Sequence, residues 1–206
     1  DLLDDTEWQK ILADTDRGKY TFVMMSPTCG SFAPSRGQRA GPRALRSRTE
    51  LFGLKLCSPP SHEQEKATVE DGNYHATKSL ETATACVNKG IGFAIECPAL
   101  IFKEQVSMLL FPSAVELDRL PGVMNLVTDQ CPFGSETAKP TNFKIWVSRN
   151  AEAWASMLNK WCQHEKKEWD WIDARGNSWK SWSSHPPLVG RKREDGSWAT
   201  SKAEDY

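Results

Sequence analysis

Tyr20-Thr21-Phe22-Val23-Met24-Met25-Ser26-Pro27-Thr28-Cys29-Gly30 carries the decisive pattern of this chain. Residues 20 to 25 form an apolar run rich in strand formers, bounded by Gly18 and Pro27. Such a run suits a strand buried on both faces of a parallel sheet. Cys29 then stands just past the strand's carboxyl end, where open α/β sheets collect their ligands.

Upstream of that strand, Trp8, Ile11 and Leu12 recur at helical spacing between Asp5 and Asp16, and Gly18 supplies a stop. Downstream, residues 30 to 60 carry Gly, Pro, Ser and Arg with little periodicity and read as a long functional loop. Arg36, Arg39, Arg43, Arg46 and Arg48 follow one another there with no acidic residue among them. A polar, helix-compatible stretch from Glu63 to Asn88 comes next, with Gly72 as a point of interruption and Gly90 as its end. Gly92 to Glu96 is a second buried strand, ended by Cys97-Pro98, so Glu96 also projects from a strand's carboxyl end. Met124–Thr128 and Phe143–Val147 read as third and fourth strands, and their Gly/Pro-bearing connection is short enough for an antiparallel pair. One more helix follows Asn150, and beyond it lies a polar tail rich in tryptophan. Trp154 and Trp161 fall seven apart, as on one docking face of that helix. The composition shift divides the chain into a core, 1–150, and a Trp-rich helical and extended segment, 151–206.

With 206 residues, 39% of them hydrophobic, the chain can bury one sizeable core. A formal net charge of −1 excludes a uniformly basic nucleic-acid binder and leaves local patches to be read by segment. Neither a secretory leader nor an apolar run of membrane-spanning length is expected, so no membrane is implied. Six cysteines at wide spacings, without a Cys-x-x-Cys pair, fit a reducing intracellular compartment. Cys162, His164 and His185 match no zinc template in their spacing, and no metal is expected. A cysteine hydrolase needs a histidine beside Cys29, and His62, His75, His164 and His185 all fall in polar stretches.

The chemistry converges on strand ends. A cysteine is nucleophilic only as thiolate, and the arginines that follow Cys29 favour that form. A carboxyl group at a partly buried strand end is desolvated, which suits Glu96 to hold a proton as a general acid.

The order of these elements resembles the DNA cytosine-5 methyltransferases. It runs from a Pro-x-Cys turn followed by Phe32, Ser35 and Gly37, through Phe-Ala-Ile-Glu96, to Phe133-Gly134 before a basic loop and a strand. A narrower similarity is to methylase-like domains of eukaryotic mobile elements. The resemblance implies a Rossmann-like methyltransferase fold, a mostly parallel sheet with one antiparallel strand, incomplete at the N-terminus. It implies Cys29 as nucleophile toward C6 of a flipped cytosine, Glu96 at its N3, and Lys139 in place of the first arginine of the basic segment. S-adenosylmethionine would be the cofactor, its glycine-rich binding segment lying upstream of Asp1. DNA would be the partner, with Arg36, Arg39, Arg43, Arg46 and Arg48 facing phosphates, the rest of a longer polyprotein a second partner, and the nucleus the location. Thr28, Gly30, Cys97 and Thr141 depart from the family pattern. They support an alternative: a catalytically inactive nucleic-acid-binding or interaction module.

Overall fold

The computed structural model describes residues 4–37, 42–55, 63–173, 176–187 and 191. Its first helix, α1 (Asp5–Asp16), starts where Asp4 adopts extended backbone and its carboxylate accepts the Thr6 N–H at 2.8 Å. The strand β1 is Phe22–Met25. A long helix α2 (Glu63–Lys89) runs through Gly72 without a break. It is followed by β2 (Gly92–Pro98), α3 (Pro112–Asp118), β3 (Met124–Thr128), β4 (Thr141–Trp146) and α4 (Ala151–Leu158). Pro112 opens α3 at a position where its missing N–H is harmless.

The sheet has the order β1-β2-β4-β3. Only β1 and β2 pair in parallel, Phe22 opposite Gly92 and Met25 opposite Ile95. β2 with β4 and β3 with β4 are antiparallel. This overturns the expected mostly parallel, Rossmann-like methyltransferase sheet: the sheet is mixed, and most of its pairings are antiparallel. The cause is local. The connection from Asp129 to Pro140 holds only a short 3-10 turn, Cys131–Phe133, ended by Gly134 at φ 96°. That is too little chain for a crossover helix, so β4 turns back and inserts between β3 and β2.

β2 is the buried centre. Phe93, Ile95 and Cys97 point to the face covered by α2, where Ala76, Leu80, Ala83 and Cys86 meet them; Ala114 and Leu117 of α3 complete this core. Each large apolar side chain fully buried there contributes on the order of 1.5–3 kcal/mol. Trp154 of α4 stacks on Phe22 from the opposite face, centroids 5.2 Å apart and planes 9° from parallel. Gly92 is required under that stack, since a Cβ on it would lie 2.7 Å from the Phe22 ring.

The tryptophan-rich tail holds a second sheet, the antiparallel hairpin β5 (Lys167–Ile172) and β6 (Ser178–Ser183). Trp171 and Trp179 oppose each other in its register and stack with centroids 5.9 Å apart. Trp161, expected on a helix face with Trp154, lies past the end of α4 and is exposed. No helix among the described residues is long and apolar enough to cross a membrane.

Candidate functional site

Because β1, β2 and β3 point the same way and β4 opposes them, one edge of the sheet gathers the turn after β1, the end of β2, the loop after β3 and the start of β4. Cys29, Glu96 and Lys139 all lie along this edge. Ser26 Oγ donates to Glu96 Oε2 at 2.7 Å, so the carboxylate is held across the two strand ends. Cys29 is half-buried. Cys97, next to Glu96, is buried, and burial above all pushes its thiol up to about 12; the Glu96 and Cys29 charges add to this, against the Ser107 hydrogen bond and Lys144. Cys97 therefore stays a thiol, whereas the more accessible Cys29 is the reactive candidate of the two. Lys139 is half-exposed and holds a positive φ of 24°, a backbone state costly for a side-chain-bearing residue.

The arginines divide by role. Arg39 lies outside the described residues. Arg43 pairs with Glu65 at the start of α2, and its carbonyl accepts from the Arg36 guanidinium at 3.3 Å. Arg36 Nε donates to the Gly30 carbonyl at 2.6 Å and fastens the Cys29 turn. Arg46, expected to face phosphate, is instead 4% exposed. Its guanidinium donates to Leu51 O, Asn73 Oδ1, Ser31 Oγ and Val69 O and lies 3.9 Å over the Phe32 ring. All four acceptors are neutral, Nε has no partner, and burial lowers its pKa to about 10. Arg48 is exposed. Arg36, Arg46 and Arg48 line a groove of about 440 Å³ with Phe32, Phe102 and Glu104, beside the Cys29 turn.

A second cluster is built on the loop after β3, the same loop that carries Lys139. Cys131 opens the 3-10 turn after β3, Cys162 and His164 follow α4, and His185 follows β6. Their ligand atoms lie within 4.8 Å of one another. His164 Nδ1 and His185 Nε2 are 3.1 Å apart, and Cys162 Sγ is 3.5 Å and 3.3 Å from them. The residues set aside on spacing thus meet in space, together with Cys131, which sequence reasoning missed. The available signal was Cys162-Gln163-His164: in extended chain, positions i and i+2 face the same side.

Comparisons with protein-family models, with curated proteins and with solved structures returned no match.

Proposed function

We propose that the chain is a nucleic-acid-binding module that engages phosphate at the groove lined by Arg36, Arg46 and Arg48, without catalysis of its own. The observation that carries this is the buried Arg46 guanidinium, which no carboxylate neutralises among the described residues, next to an open groove bearing two further arginines. The buried Arg46 charge acts on the groove through its field, because its four terminal N–H groups are taken by protein acceptors, while the exposed Arg48 guanidinium supplies paired donors that match phosphate oxygens. Phe102, about half exposed on the same groove, offers a face on which a base can stack.

Anisotropy titrations of labelled single-stranded and duplex DNA at several salt concentrations test this. Arg48→Gln should weaken binding by about 3- to 10-fold and flatten the log K against log salt slope by about 1. Unchanged affinity in both Arg48→Gln and Arg36→Gln overturns the assignment.

A second reading is favoured by the shared edge of Cys29, Glu96 and Lys139. It makes Cys29 the nucleophile of a methyl transfer from S-adenosylmethionine to cytosine in DNA, with Glu96 holding the base. It predicts a Cys29-dependent covalent adduct with 5-fluorocytosine DNA when S-adenosylmethionine is present. No adduct, or an unchanged one in Cys29→Ala, rejects it.

A further inference from the structure

We propose that Cys131, Cys162, His164 and His185 bind one zinc ion, and that this ion fastens the β5–β6 hairpin to the four-stranded sheet. Zinc binds sulfur at ~2.3 Å and imidazole nitrogen at ~2.0–2.1 Å in a tetrahedron, so its ligand atoms are separated by roughly 3.3–3.8 Å. The separations of 3.1, 3.3 and 3.5 Å among Cys162, His164 and His185 approach those edges. Cys131 Sγ closes the set within 4.8 Å.

The surroundings are those of a ligand set. His185 Nδ1 lies 2.9 Å from the Glu136 carbonyl oxygen, which can only accept. Nδ1 therefore carries the hydrogen, and Nε2 presents its lone pair to the cluster, the outer hydrogen bond typical of metal-bound histidine. The backbone of Cys162 is fixed as well: its N–H donates to Asp129 Oδ2 at 2.8 Å. Asp129 N–H and Thr128 Oγ1 both donate to Lys160 O at 2.8 Å. These bonds seat the segment of Cys162 against the end of β3, two residues from Cys131. The cluster is built by the fold and does not rely on long flexible side chains.

Charge and topology agree with zinc. Two thiolates and two neutral imidazoles around Zn²⁺ sum to zero, which a site with a buried Cys131 tolerates. Binding exchanges each thiol proton for a sulfur–zinc bond and releases the proton to water. Four protein ligands leave no open position, so the ion is structural and not catalytic. The need for it is plain in the hairpin. Two strands alone are marginal in water, and among the described residues β5 and β6 pair only with each other. The ion would join the sheet body through Cys131 to both ends of the hairpin, through His164 before β5 and His185 after β6.

The full chain, purified under reducing conditions, should contain about one zinc by elemental analysis, and cobalt(II) should give the intense visible bands of a tetrahedral thiolate site. Cys162→Ser and His185→Ala should lose at least about nine-tenths of the metal. Because either variant can also misfold, His164→Cys is the control: it keeps a zinc ligand, so the metal should remain while the cobalt–thiolate band grows by about half, three sulfurs replacing two. Absence of zinc together with a silent cobalt titration overturns the proposal. So does a Cys131–Cys162 disulfide found by mass spectrometry in the reduced preparation, or full metal content in Cys162→Ser.

Discussion

Ser26 and Glu96, seventy residues apart, are joined side chain to side chain by a 2.7 Å hydrogen bond across the ends of the parallel pair β1 and β2. Ser26 is exposed, so the bond competes with water and its net worth is small. A double-mutant cycle of Ser26→Ala and Glu96→Ala in urea unfolding should give a coupling of about 0.5–1 kcal/mol. A coupling indistinguishable from zero would show that this bond does not hold the edge together.

Lys144 presents a larger effect. It faces the α3 side of β4, is 0% exposed, and pairs with Asp118 at the end of α3. Removing one partner leaves a buried ammonium, whereas removing both leaves space that apolar atoms can fill. Asp118→Ala should lower stability by about 2–4 kcal/mol, scaled down from the fully buried case because Asp118 retains some solvent contact. Lys144→Met in the Asp118→Ala background should recover much of that loss in chemical denaturation. A single-mutant cost below ~0.5 kcal/mol would mean that the ammonium finds water.

What the sequence made legible follows from how each signal is encoded. β2 and α1 were readable because one is a continuous apolar run and the other a periodic stripe with a stop, both local. Cys29 and Glu96 were placed at strand ends for the same reason. The sheet pairing was not local, and β4 reversed the expected parallel majority. Seven residues with one proline were too few to announce α3. In the hairpin, Trp169 and Trp171 alternate with Glu168 and Asp170, a strand pattern masked by charged and serine-rich composition. Arg46 looked like its neighbours until burial set it apart. The metal ligands come from three separate segments, so only the fold defines their spacing.

Gly72 tests the packing around Arg46. A glycine inside a helix ordinarily gains about 1 kcal/mol on replacement by alanine. Here a Cβ would lie 2.4 Å from Ser31 Oγ and 3.1 Å from an Arg46 terminal nitrogen, so the Ser31–Arg46 hydrogen bond or the helix itself must give way. Gly72→Ala should therefore destabilise by about 1–3 kcal/mol, as overpacking does. On the nucleic-acid-binding function proposed above, it should also weaken DNA binding by disturbing the groove lined by Arg46. A stabilised Gly72→Ala protein would refute the close approach.

Cys97 gives a signed pH dependence. Its thiol is pushed from 9.0 up to about 12, mainly by burial, so the folded state keeps a proton that the unfolded chain releases earlier. The folded state binds more protons in this window, and stability must fall as pH rises from about 9 to about 12. Thermal melts should show that decline, and Cys97→Ala should flatten it after allowance for a lower starting stability. The same burial predicts that Cys97 resists alkylation in the native protein at pH 8 while the half-buried Cys29 is modified, a contrast readable by peptide mass spectrometry.

Metal removal should uncouple the two sheets. The four-stranded sheet has its own core against α2 and α3, independent of the Cys131–His185 cluster. The hairpin has the Trp171–Trp179 stack and the Lys167 ammonium 4.2 Å over Trp169, contacts within itself. A zinc chelator should therefore loosen β5 and β6 before the body. Tryptophan emission should shift to the red as Trp169, Trp171 and Trp179 gain water, while helix content, measured by far-ultraviolet circular dichroism, stays nearly constant because α1 to α4 remain. Adding zinc back should restore the emission. Simultaneous loss of helix and red shift at one chelator concentration would show instead that body and hairpin unfold as a single unit.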